Sequence, residues 1–262
     1  LGRGQTRTRP MTIGRFLAWL ALAFPVWTLM EGCTAEGAGC TTSLGQPVSD
    51  TLWFADMPEQ LLVTNRVEVH WWPGDTLPHA VRHAWDGTVD GIEVGLDNAQ
   101  LMIEDRNRCG WVRRLSAVPR VDLRGMMPRE VLLESQADFI MEAPCKSGDL
   151  TVEGDQMAGR IDLWFEADSL KVRLPNGIGH ASAKGTAVRF STFRSGYGDF
   201  DASALNAERV VAHQAGTGVM TLRPEGYLYL ELSGAGTVYV LSEPEAQDLY
   251  VWPEATGEII GP

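Results

Sequence analysis

Several sets of side chains in this 262-residue sequence have the types and spacing that chemistry requires. His79 and His83 stand at i and i+4, the spacing that binds zinc when a helix carries it. Arg106, Arg108, Arg113, Arg114, Arg120 and Arg124 place six guanidiniums within 19 residues, a set able to clamp anionic polysaccharide or lipid headgroups through bidentate contacts. Asp149, Asp155, Asp162, Asp168, Asp199 and Asp201 recur near turns, as carboxylates do in β-helix lyases that hold calcium beside a basic proton abstractor. Trp164, Tyr227, Tyr229 and Tyr239 offer ring faces for stacking on sugars.

What these groups do depends on the elements that carry them. Val81 and Trp85 alternate with polar residues and Pro78 blocks a helix entry, so the histidines belong to a strand. Four strand rises of about 3.3 Å then hold them roughly 13 Å apart, too far to share a metal ion. No metal or other cofactor is expected. The arginines have Glu104, Asp105 and Asp122 as neighbours in a chain with 22 basic and 34 acidic residues, and pairing with those carboxylates is their plainer use. The net charge of −12 also excludes a general nucleic-acid role, which needs a cationic footprint. The aspartates are dispersed, Asp199 and Asp201 read as a solvated outward row, and no Gly-x-Ser-x-Gly elbow is present. The tyrosines remain as a candidate binding surface, together with Arg106, Arg108 and Arg113.

The elements themselves are written in glycine, of which the chain has 28. Gly177-x-Gly179, Gly196-x-Gly198, Gly216-x-Gly218 and Gly234-x-Gly236 follow one another at intervals of 19, 20 and 18 residues. Apolar residues flank each pair with a period of two: Phe200 and Ala202, Met220 and Leu222, Val238 and Val240 after it, Phe190 and Thr192, Val210 and Ala212, Leu228 and Leu230 before it. In the first copy Val172 and Leu174 stand one residue out of step, as a bulge or a shorter turn produces. A unit of this size cannot bury its own inward row, whereas stacked coils make one continuous core. The expectation is an all-β, parallel β-helix-like solenoid of 18–20-residue coils. The corner glycines serve either a positive φ or the close approach of the neighbouring coil. One such domain over 50–245 is followed by a tail, 246–262, placed to cap the last coil.

The amino end has a different character. Arg3, Arg7, Arg9 and Arg15 precede an apolar run, 16–30, that is too short for the roughly 20 residues of a membrane-spanning helix and ends at Glu31-Gly32-Cys33. Residues 1–32 read as a signal peptide, with Met11 a plausible start. Gly32-Cys33 is similar to a lipobox, making Cys33 the lipid attachment site and 33–49 a polar tether; cleavage after Ala35 or Ala38 is the soluble alternative. With Cys33 lipidated, Cys40, Cys109 and Cys145 leave an odd count, which one disulfide and one buried thiol accommodate.

Gly196-Tyr197-Gly198-Asp199-Phe200-Asp201-Ala202, with Ser233-Gly234-Ala235-Gly236 and Val238-Tyr239-Val240, resembles the auto-transporter adhesin head domain called GIN. The resemblance implies an exported, often lipid-anchored protein of Bacteroidetes-type bacteria with a right-handed β-helix-like fold and no enzymatic residues. Ala38-Gly39-Cys40 and Asn107-Arg108-Cys109-Gly110-Trp111-Val112-Arg113 are similar to a lipoprotein subgroup, which implies a Cys40–Cys109 disulfide. The function so implied is a non-enzymatic surface lipoprotein of the cell envelope, expected at the outer membrane. Its partners are the membrane, through the lipid, and a polysaccharide or another envelope or host surface component. The alternatives are a lyase-like enzyme on the same scaffold and a structural envelope protein that self-associates.

Overall fold

The computed structural model describes residues 45–74, 77–107, 118–125, 127–146 and 148–262. Cys33, Cys40, Cys109, Arg108, Arg113 and Arg114 lie outside them. The described chain is all-β, a solenoid of about 6 turns built on two ladders of strands stacked mostly in parallel. In the first ladder β2 (Gln60–Thr64) lies between β6 (Gln100–Asp105) and β8 (Glu130–Glu134). From β8 the ladder runs through β10 (Asp149–Asp155) and the second halves of β11 (Arg160–Leu174), β12 (His180–Arg194) and β13 (Phe200–Gln214). It ends on β15 (Pro224–Leu232) and β17 (Ala246–Val251). In the second ladder β3 (Glu68–Trp72) lies between β7 (Arg120–Arg124) and β9 (Asp138–Met141). The first halves of β11, β12 and β13 continue it, then β14 (Met220–Leu222), β16 (Thr237–Val240) and β18 (Glu258–Ile260).

The alternation in sequence becomes columns in space. Leu101, Leu61, Val131, Val152, Val172, Thr192, Ala212 and Leu230 face one another coil to coil in the first ladder. Val121, Val69, Phe139, Ile161, Ala181, Phe200, Met220 and Val238 do so in the second. All of these are buried, so each coil supplies a row that only its neighbours can cover. The out-of-step first copy comes from a corner one residue longer than those that follow, not a shorter one. Three residues lead from Leu174 to Gly177 but two from Arg194 to Gly196, and β13 regains register through a bulge opposite Ser182–Lys184.

The glycine corners are explained by close approach. Among the described glycines only Gly45, Gly125 and Gly185 have positive φ. A Cβ on Gly177 would stand 2.6 Å from the carbonyl oxygen of Met157, and one on Gly198 would overlap that of Gly179 more severely still. The corners are joined by hydrogen bonds that only bare backbone can approach closely enough to make, such as Tyr197 N–H to Gly177 O at 2.7 Å.

Three features depart from a plain parallel stack. Coil order is not chain order, because β6 and β7 stack outside β2 and β3, and the chain then passes that first coil to continue with β8 and β9. The outer end is covered by antiparallel strands: β5 (Ile92–Asp97) on β6, and β4 (His79–Trp85) on β7 with β1 (Pro47–Trp53) on β4. A positive-φ turn at Asn98-Ala99 makes the β5–β6 hairpin. The tail 246–262 contributes a coil of its own, β17 and β18, whose inward residues Leu249 and Val251 are about half exposed because no described strand stacks on them.

Candidate functional site

Of the expected surface patch, Arg106 and the three tyrosines are described and stand apart, while Arg108 and Arg113 lie outside the described residues. Arg106 donates from Nη1 to Glu93 Oε1 and from Nε to Glu104 Oε2, both at 2.7 Å, and Glu104 foremost holds its guanidinium above the ordinary range. Arg120 donates to Asp122 Oδ1 at 2.5 Å. Tyr227 lies on β15 with its hydroxyl donating to Asp248 Oδ2 at 2.7 Å and the Arg209 guanidinium 4.9 Å from its ring centre. Tyr229 shares that outward face, while Tyr239 is on β16 in the other ladder. The rings therefore occupy two faces. Asp199 and Asp201 accept backbone N–H groups of Val219 and Ser203, so they fasten turns. No group of three or more His, Cys, Asp or Glu able to hold a metal ion occurs among the described residues.

Side chains converge instead at the amino-terminal corner, across β1, β4, β7 and β3. The register sets Trp53 opposite His79, His79 opposite Arg124 and Arg124 opposite Trp72, which lines up four side chains on neighbouring strands. Trp53 and His79 rings lie 4.4 Å apart, and the Arg124 guanidinium sits 5.3 Å from the Trp72 ring centre. Trp53 is 63% exposed although it is a large aromatic, and Leu77 beside it is 62% exposed. His79, Arg124, Trp71, Phe54, Leu101 and Leu123 line a cavity of about 20 Å³, walled further by Pro58, Pro78 and Pro128. Trp71 is buried there, and its indole Nε1 has no hydrogen-bond partner.

Next to that row the same strands carry a polar array. Ser49 Oγ lies 2.8 Å from His83 Nδ1, and His83 Nε2 lies 3.3 Å from Asp122 Oδ2. His70 is buried between carboxylates, with Nε2 2.5 Å from Glu68 and Nδ1 against Glu142. A neutral imidazole has one N–H and satisfies only one of the two. His79 and His83, paired in the sequence, thus part company: one stacks on an aromatic ring and the other joins an ionic array. Sequence reasoning missed this corner because its four residues come from four strands. The one signal was the density of Trp, His and Arg among residues 53–85.

The model of the family described as "Putative auto-transporter adhesin, head GIN domain" matches residues 63–244. The chain belongs to that family. Solved structures agree on the GIN fold. A "putative adhesin" from Bacteroides fragilis superposes with a TM-score of 0.70 at 16% identity, covering 83% of this chain and 97% of that one. A second "putative adhesin", from Parabacteroides distasonis, gives 0.58 at 13% identity, with 83% and 98% covered. A "putative lipid binding protein" from Parabacteroides distasonis gives 0.59 at 15% identity, with 83% and 97% covered. No curated protein matches this chain. The GIN family and these neighbours are described as adhesins or as lipid-binding, and none as an enzyme.

Proposed function

We propose that this GIN-family chain is a non-enzymatic binding module of the bacterial envelope, exported through its leader, held on the membrane by lipid on Cys33 and engaged in adhesion. The observation that carries the binding role is the Trp53–His79–Arg124–Trp72 row, an aromatic and cationic strip whose Trp53 and Arg124 are exposed and whose His79 and Trp72 are half-buried beneath them. Rigid stacked coils suit adhesion because the presenting surface is set by the main-chain register of several strands. The descriptions of the family and of the structural neighbours support an adhesin-like role, and the printed words "lipid binding" support a ligand with apolar parts. The leader and Gly32-Cys33 support the anchor.

Two measurements test this. Cys33→Ser is expected to move the protein from the membrane to the soluble fraction, and an unchanged distribution refutes the lipid anchor. Purified protein is expected to be retained on immobilised envelope polysaccharide. Retention no better than that of an inert acidic protein of similar size refutes the adhesion role.

A further inference from the structure

We infer that the amino-terminal corner rests on the surface of a lipid bilayer, with Trp53 and Leu77 seated at the boundary between headgroups and acyl chains and Arg124 on a lipid phosphate. This names the partner of the row described above, and it rests on the lipid anchor proposed for Cys33. Trp53 is 63% exposed and Leu77 62%, and no other large apolar side chain among the described residues before Ile178 is exposed. The two stand together. Trp53 faces His79 across β1 and β4, and the carbonyl oxygen of Leu77 lies 3.1 Å from His79 Nδ1. A Trp and a Leu left side by side in water mark a contact surface. Trp suits the bilayer boundary because its ring is apolar and its N–H polar. Leu77 separates a bilayer from a glycan: it has no ring to stack on a sugar and no donor for a hydroxyl, but gains from burial among acyl chains.

The charges fit a surface that carries phosphate without net charge. Arg124 is exposed on the same row, sits over the Trp72 ring and has no ion pair among the described residues. Its fork of N–H donors matches a phosphate. Asp56, exposed three residues beyond Trp53, and the net charge of −12 disfavour an anionic leaflet, so the partner is a zwitterionic one. The anchor supplies proximity. Fully extended, residues 33–46 reach at most about 50 Å before β1 begins at Pro47, and β1 ends at Trp53. A tether of that length holds the corner near the bilayer at high effective concentration, so two side chains and one cation suffice for a contact too weak to form from free solution. The corner belongs to the end of the stack opposite β17 and β18, which this contact turns away from the bilayer.

The test reads tryptophan fluorescence of the lipidated protein in phosphatidylcholine vesicles, with and without bromine near the top of the acyl chains, which quenches only rings that reach it. Brominated lipid is expected to quench the original protein and to quench Trp53→Phe at least threefold less, because the other tryptophans are held away from the bilayer. Leu77→Asp is expected to lower the quenching at least twofold, with an unaltered thermal transition because Leu77 is exposed. Equal quenching of the original and of Trp53→Phe overturns the inference, as does the absence of quenching in protein that floats with the vesicles; in both cases the anchor stands. Protein that does not float with the vesicles overturns the anchor, and the bilayer contact with it. Unquenched protein whose retention on envelope polysaccharide is lost in Trp53→Ala overturns the bilayer contact and gives the corner to a glycan.

Discussion

Arg194 is the core's least suited residue, and replacing it should stabilise the protein. It occupies an inward position on β12, level with Leu174 on β11 and Gln214 on β13, and is 1% exposed. Among the described residues its Nε and Nη1 have no hydrogen-bond partner, and burial foremost drives the guanidinium down to about 10, with Asp199 opposing. A fall from the ordinary arginine range to about 10 corresponds to a penalty on the charged form of about 3 kcal/mol. The sign follows from proton binding. Above about pH 10 the unfolded chain still holds a proton that the folded chain has lost, so stability rises there, and the full penalty applies everywhere below it. Arg194→Met keeps an unbranched stem of similar reach and removes the charge. Allowing for lost contacts of the guanidinium, the expected gain is about 1–3 kcal/mol, within the roughly 1–4 kcal/mol gained when buried ion pairs are replaced by apolar residues. Urea unfolding of the two proteins at pH 7 measures it, and the difference should stay flat from pH 5 to 9. A variant less stable by more than about 1 kcal/mol would refute the argument and mean that the glycine corner beside Arg194, where Gly198 packs close, holds the guanidinium through its carbonyls.

Gly198→Ala should destabilise by about 3 kcal/mol or more, since its Cβ overlaps Gly179 O, while Gly95→Ala, which meets open space, should stay within about 0.5 kcal/mol in the same unfolding assay. Asp50 is held below its ordinary 3.8, chiefly by the hydrogen bonds from Arg82. Its contribution is therefore present above pH 4 and lost as pH falls further. The melting-temperature gap between the original protein and Asp50→Asn should narrow as pH falls below 3.8, and being partly exposed the pair should be worth less than about 1 kcal/mol. Val251→Asp should cost little, under about 0.5 kcal/mol, because the last coil leaves that inward position about half exposed; a large loss in thermal melts would mean that another surface covers it.

Much of the fold was legible because its signals are local. The period-two rows around residues 190–240 and the 18–20-residue glycine interval lie within single coils, and they lead to stacked strands without knowledge of any long-range contact. The amino-terminal half was less legible. β6 and β7 insert outside β2 and β3, and nothing in a strand's alternation states which strand it will neighbour. The candidate site was least legible. Arg106 stands out by its nearness to other arginines and the tyrosines by their outward alternation, yet Arg106 pairs with Glu93 and Glu104, and Tyr239 stands on the other ladder from Tyr227.

Glycine shows the division most clearly. The sequence by itself determined that the chain would turn at regular intervals and that its apolar rows would need stacked neighbours, because periodicity in residues is periodicity along strands. Only the tertiary structure decided why those turns demand glycine: carbonyls of the preceding coil stand where a Cβ would be. Only it brought Trp53, His79, Arg124 and Trp72 into one row, because that juxtaposition depends on cross-strand register between segments up to 71 residues apart.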